Sequence, residues 1–193
     1  MQETTDTTVT LREKLILAGI QVIEENGVSG FSIRRTAAAC GVSCAAPYKH
    51  FKDKEDLMTA IILYIKERWR DRQLEILREC KGDVRSQLIE ISLAYIRFLM
   101  DNPHFRSIIM IKDPTMRPEH VRLKSELSDI VQGLIDRYCE ETHMPEERRT
   151  VKTFVVRSLI YGAALMLDNG EIACSEQNFA LIAEAINREF DLA

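Results

Sequence analysis

The chain has 193 residues, 46% of them hydrophobic, and 26 Lys and Arg against 30 Asp and Glu give it a formal net charge of -4. That is enough apolar content for a real core in one large domain or two small ones. The acidic balance excludes a protein that coats nucleic acid indiscriminately, so any DNA contact must come from a local basic surface.

The first ten residues contain Glu3 and Asp6, no Lys or Arg and no apolar run, so no signal peptide is expected. The longest charge-free apolar stretch, Ser158–Leu167, is about half of what a membrane span requires, and a soluble, cytoplasmic protein without membrane contact is expected. The five cysteines, Cys40, Cys44, Cys80, Cys139 and Cys174, are odd in number and scattered, which suits reduced thiols. Cys40 and Cys44 lack the second ligand pair of a structural zinc site, so neither a metal nor a cofactor is expected.

In chain order, apolar residues recur at helical spacing between sparse Gly and Pro, which predicts an all-α fold of about nine helices. Thr10 and Glu13 form a capping box ahead of the stripe Leu11, Leu15, Ala18, Val22, Ile23, and Asn26-Gly27 supplies a stop. Ser32 caps a short second helix ending at Cys40-Gly41, and Ser43 caps a third reaching about Phe51. Asp53 caps a long fourth helix whose inward face is Leu57, Ala60, Ile61, Tyr64, Ile65, running on past Trp69.

A further helix starts at Asp83 with the stripe Val84, Leu88, Ile91, Tyr95, Leu99 and stops at Asn102-Pro103, where Asn102 caps a short segment through Ile111. Lys112–Arg117 reads as a loop, and helices are predicted over Pro118–Glu141, Pro145–Leu167 and Ser175–Phe190. With no low-complexity linker, the boundary falls inside the long helix. Residues 1–53, with its start to about 66, form one domain, and 67–193 form a larger C-terminal one.

Ser32–Leu57 carries the chemistry: a short helix, a Gly41-Val42-Ser43 turn and a second short helix form a helix-turn-helix that offers its second helix to a major groove. Gly41 suits a turn that needs positive φ. Arg34, Arg35, Lys49, Lys52 and Lys54 are opposed only by Asp53 as far as Lys54, which is the local basic surface the net charge requires.

The combination of Gly41-Val42-Ser43 with Tyr48, Phe51, Lys54, Glu55 and Leu57, preceded by Leu15, Ala18, Gly27, Phe31 and Ser32, resembles the DNA-binding domain of the TetR family of repressors. The resemblance covers about the first third of the chain. It implies a C-terminal helical ligand pocket, a homodimer built on the last two helices, and release from palindromic double-stranded operator DNA by a small molecule. Thr36 stands where the family has an aliphatic residue and Cys40 where it has a small one such as Ala. Pro47, which lacks an amide donor and restricts Ala46, departs further and predicts a late or distorted start to the recognition helix.

The expected DNA-contacting residues are Ser32, Arg34, Arg35, Ser43, Cys44, Ala45, Ala46, Tyr48, Lys49, His50 and Lys54. Tyr48 meets a phosphate by the family match, Lys49 is the base reader, and the small alanines admit thymine methyls. Lys54 is expected to join a cation to free backbone amides at a helix start as a phosphate clamp. Trp69, Tyr95, Phe98, Phe105, Met110, Tyr161 and Met166 could line an adaptable pocket for a largely apolar effector, although most such residues are plain core. For the dimer interface the candidates are Phe154, Ile160, Ala163, Leu167, Phe179, Ile182, Ala183 and Ile186, because the Pro145–Leu167 helix is apolar on more than one face.

A constitutive regulator, or a thiol sensor working through Cys44 near a helix start, is an alternative. A helical small-molecule carrier or an enzyme is the rival class. No motif for a nucleophile with its base, or for a metal cluster, is present to favour an enzyme.

Overall fold

The computed structural model describes residues 9–109 and 116–191. Among them all regular structure is helical: α1 Leu11–Gly30, α2 Ile33–Ala39, α3 Lys54–Glu79, α4 Val84–Asp101, α5 Pro103–Ile109, α6 Pro118–Ser125, α7 Asp129–Glu141, α8 Glu146–Asp168 and α9 Glu176–Asp191, with 3-10 turns at Ala46–Lys49 and Glu126–Ser128.

Local chemistry sets most of the boundaries. The Glu13 amide donates to Thr10 Oγ1 at 3.2 Å, the Arg35 amide to Ser32 Oγ at 3.3 Å and the Ser86 amide to Asp83 Oδ1 at 2.8 Å, so each cap satisfies an otherwise orphaned donor. Gly27, at φ 68°, breaks the helical path of α1, and the chain makes one more short turn to Gly30. Asn102 Nδ2 donates back to Phe98 O at 2.8 Å and closes α4, and Asn102 is followed by Pro103 at the start of α5. Met110, Ile111 and most of the Lys112–Arg117 loop lie outside the described residues.

Asp53 Oδ1 accepts from the amides of Glu55 at 3.0 Å and Asp56 at 2.9 Å, while Asp56 Oδ2 reaches back to the Lys52 amide at 2.8 Å. The Asp56 amide bond is the main reason the Asp53 carboxyl is held below its ordinary value of 3.8, against the opposing effect of partial desolvation. A depressed acid stabilises the fold above its unfolded pKa and loses that contribution as the pH falls through the folded one. Wild type should therefore exceed Asp53→Asn in urea midpoint at neutral pH, with the gap closing on acidification below about pH 4. A gap independent of pH would show that the carboxylate charge does not matter to the cap.

Two predicted helices differ. The third is a 3-10 turn over Ala46–Lys49, because Pro47 has no N–H to offer Ser43 O; the Ala46 amide takes that carbonyl at 3.0 Å instead. Ala45, without a side-chain bond, holds the cap position expected of Ser43. The Pro118–Glu141 helix is interrupted by the 3-10 turn at Glu126–Ser128, where Ser128 Oγ donates to Ser125 O at 2.8 Å, a side-chain bond that competes with helix continuation.

The chain divides into two compact units, and α3 contributes to both. The first comprises the described residues of Met1–Lys66 and His104–Lys124. Its core holds Leu15, Ile20, Ile23, Phe31, Phe51, Leu57 and Ile61. The 104–124 return joins this unit through side chains that sequence spacing does not link: the Phe105 ring stands edge-on to Tyr64 at 6.3 Å, and His104 bonds Glu24. His120, 1% exposed, places Nε2 3.0 Å from Thr59 Oγ1 and Nδ1 3.7 Å from Glu55, which Arg117 also meets at 3.3 Å.

In the second unit, Glu67–Pro103 with the described residues of Ser125–Ala193, α4 packs against α7, α8 and α9. Arg85 near the start of α4 binds Asp191 at 2.6 Å and Asn187 Oδ1 at 2.8 Å, while Arg97 near its end binds Glu176 at 3.0 and 3.1 Å; α4 and α9 therefore run antiparallel. The apolar face of α8 is left largely open, with Val151, Phe154, Tyr161, Leu165 and Met166 exposed. Over 18 residues α8 reaches a mean hydropathy of 1.4, enough by length and composition alone for a membrane span, which the interruption at Arg157 had concealed.

Candidate nucleic-acid interface

The helix-turn-helix is assembled by burying its apolar residues and turning its polar ones outward. Ile33, Thr36 and Ala37 on α2, with Pro47 and Phe51, are buried, and Thr36 Oγ1 donates to Ser32 O at 3.1 Å. Thr36 thus replaces an aliphatic residue without leaving its hydroxyl unsatisfied. Cys40 is half-buried, and Gly41 turns the chain at φ 70°, a conformation that L side chains rarely adopt.

Arg34, Arg35, Ser43, Cys44, Ala45, Tyr48, Lys49 and His50 are all exposed, and Ala46 and Ser32 are half-buried. Tyr48, at 61% exposure, is a large aromatic that the core does not use. Ser32 Oγ accepts the Arg35 amide and so keeps its O–H for an outside acceptor. Arg35 Nη1 donates to Gly30 O at 2.9 Å and Asn26 Oδ1 at 3.3 Å, which fixes the guanidinium at the corner between α1 and α2.

At the start of α3 the expected arrangement is revised. The amides of Glu55 and Asp56 are already taken by Asp53, so an anion at this point meets the Lys54 ammonium rather than these two N–H groups. Lys54 Nζ lies 5.7 Å from the centroid of the Phe31 ring, which restricts where the ammonium points. Arg12, absent from the predicted set, brings a further exposed cation from α1 to 5.4 Å above the Phe51 ring, beside Lys52 in sequence. Its capping-box neighbours Thr10 and Glu13 gave it a local explanation, and nothing in the spacing links it to Phe51.

Residues 15–61 match the family model for bacterial regulatory proteins of the tetR family. That stretch carries the N-terminal domain of the tetR family. The chain is 27% identical over 126 residues to an HTH-type transcriptional regulator of Staphylococcus aureus, spanning 64% of itself and 66% of that relative's length. In fold it resembles a TetR family transcription regulator from Marinobacter aquaeolei, with TM-score 0.75, 20% identity, and 92% and 94% of the two chains covered. It also resembles the Bacillus subtilis regulator FadR, solved in complex with stearoyl-CoA, with TM-score 0.64, 17% identity, and 91% and 95% covered.

The second unit contains a cleft of about 100 Å³ whose walls include Leu88, Ile135, Tyr138, Val156, Ile160 and Phe190, with Arg149, Lys152 and Arg157 also lining it. None of the described pocket candidates lines it. Trp69, Tyr95 and Phe98 pack on one another, with ring centroids 5.1 Å apart for both Trp69 pairs, and Phe105 belongs to the first unit. Tyr161 and Met166 are exposed on α8, and Met110 lies outside the described residues.

The dimer candidates separate by burial. Phe154 is exposed, Ile160, Ile182 and Ala183 are half-buried, and Ala163, Leu167, Phe179 and Ile186 are buried within their own unit. Those four therefore serve the protomer's core and are not open to a second copy, because the same apolar periodicity describes a helix facing inward and one facing a partner.

Proposed function

We propose that this protein is a ligand-responsive transcriptional regulator: a homodimer that represses from a palindromic operator and is released by a small molecule bound among the helices of its second unit. The observation that carries the DNA-binding part is the exposure of Arg34 on α2 and of Tyr48, Lys49 and His50 at the 3-10 turn, where the apolar residues Pro47 and Phe51 are buried. Such a surface offers hydroxyl and cationic donors to phosphates and a Lys to guanine acceptors. In a chain of net charge -4, a local basic surface gives orientation on DNA without indiscriminate binding. Ser32, Arg35, Ser43, Tyr48, His50 and Lys54 are assigned to phosphates, Lys49 to a base edge, and Cys44, Ala45 and Ala46 to close approach of the turn.

The ligand-responsive part is supported by the cleft in the second unit and by the stearoyl-CoA held by FadR, a protein of the same fold. A regulator of this kind works in the cytoplasm, with DNA, an effector and its own second copy as partners.

Two substitutions test the interface by differing in kind. Lys54→Ala should weaken binding to all sequences alike and reduce the slope of log affinity against log salt by about 1, whereas Lys49→Ala should relax specificity by roughly 1–3 kcal/mol. Fluorescence anisotropy with the protein's own upstream DNA at several salt concentrations measures both. A double variant that binds like wild type at moderate salt would refute the site.

A further inference from the structure

Arg149, Thr153 and Arg157 follow one another at four-residue intervals along α8, so they form one row, and all three line the cleft of the second unit. Arg149 is already spent: it pairs with Asp136 and, at 3.5 Å, with Glu146. Lys152 gives its ammonium to Glu189 O, so Glu189, the one carboxylate among the described lining residues, lies at the end where that cation is held. Thr153 and Arg157 make no hydrogen bond or ion pair among the described residues. Arg157 is near the Tyr95 phenol of α4, but burial raises that group's pKa and keeps it neutral, so it is no counter-ion. The same cleft takes apolar walls from Leu88 of α4, Ile135 of α7 and Phe190 of α9, whose ring meets Tyr138 edge-on at 4.9 Å. An apolar cleft with a hydroxyl and a guanidinium left open along one row suits a molecule that is apolar at one end and anionic at the other.

We infer that the effector is a compact aromatic carboxylate: its ring lies against the apolar walls of this cleft, and its carboxylate accepts from the Arg157 guanidinium and the Thr153 hydroxyl. A guanidinium meets a carboxylate with two parallel N–H donors, a match that a neutral amide answers only weakly and that an ammonium group is repelled from. Volume sets the size of the ligand. The cleft of about 100 Å³ is smaller than the ~150 Å³ cavity that encloses one benzene, so it takes at most a single ring, with the acid at the mouth where Arg157 is exposed. This inference rests on the ligand-responsive function proposed above and names the ligand class of the same cleft and the two residues that recognise it.

The test titrates full-length wild type, Arg157→Gln and Thr153→Val with benzoate, its neutral isostere benzamide, and benzylammonium by calorimetry, and follows release of the protein's own upstream DNA by anisotropy. Wild type should bind benzoate about tenfold or more tighter than benzamide, reject benzylammonium, and lose part of its preference for the acid as salt rises. Arg157→Gln should bind acid and amide equally while keeping the wild-type affinity for the amide, and Thr153→Val should lose several-fold on the acid alone. Neither side chain belongs to the buried core, so both variants should melt with wild type. Equal affinity of wild type for acid and amide, a preference for the ammonium, or no binding of any probe would overturn the inference, as would an acid preference that survives in Arg157→Gln. If benzamide releases the operator from wild type and Arg157→Gln alike, the ligand response stands and the selection for an acid falls. If benzoate binds through Arg157 and leaves operator affinity unchanged, the anion site stands and the ligand-responsive function falls.

Discussion

Phe154→Glu is expected to leave each protomer folded, halve the mass in solution and abolish operator retention. Phe154 is 71% exposed, and Val151, Tyr161 and Leu165 continue its stripe along α8 at helical spacing, with Leu181 of α9 exposed as well. An apolar surface of this kind on one protomer marks a face that is covered in the working state. In a two-fold pair the same residue recurs on both sides, so the substitution brings two carboxylates into a desolvated contact. Losing the second half-site contact should lower operator affinity by roughly 100-fold or more, since avidity from linked sites is of that order. Sedimentation at micromolar concentration and anisotropy on operator DNA read the two effects, and circular dichroism checks the fold. A variant that keeps the dimer mass would place the interface elsewhere. Ile160, which lines the cleft, is a poorer choice because its substitution would disturb the ligand region at the same time.

Trp69→Ala should be the most destabilising single truncation in the second unit, at about 3–5 kcal/mol. The indole is 2% exposed, touches two rings on α4 and ties α3 to the 3-10 turn through Leu127 O. Trp69→Phe keeps ring contacts but leaves that carbonyl without its donor, so its loss should be smaller, about 1–3 kcal/mol. Urea denaturation must be followed by circular dichroism, because Trp69 is the chain's single tryptophan and the variants lose the fluorescence signal. Equal midpoints for wild type and Trp69→Ala would show that the aromatic cluster does not support the unit. An exposed position such as Leu181→Ala should stay within about 0.5 kcal/mol in stability, which separates packing from assembly.

Several elements were legible because their causes are local. Thr10, Ser32, Asp53 and Asp83 announce helix starts through side chains that reach only two or three residues along the chain, and each makes such a bond. Gly41 announces its turn by a steric property of one residue. Pro47 announced a defect, and the 3-10 turn is the local consequence of its missing N–H. The basic surface was readable because its members are close in sequence.

What the chain's order alone determined, then, is its all-helical character, its helix-turn-helix and the residues that this motif turns to solvent, all set by interactions a few residues long. Tertiary structure decided which apolar stripes face inward and which face outward. Leu167, Phe179 and Ile186 fill their own unit while Phe154 and Leu165 remain open, and periodicity is the same for both. It also decided the roles of pairs far apart in sequence: Arg12 over Phe51, His120 at Thr59, and the aromatic residues that stack on one another instead of lining the cleft.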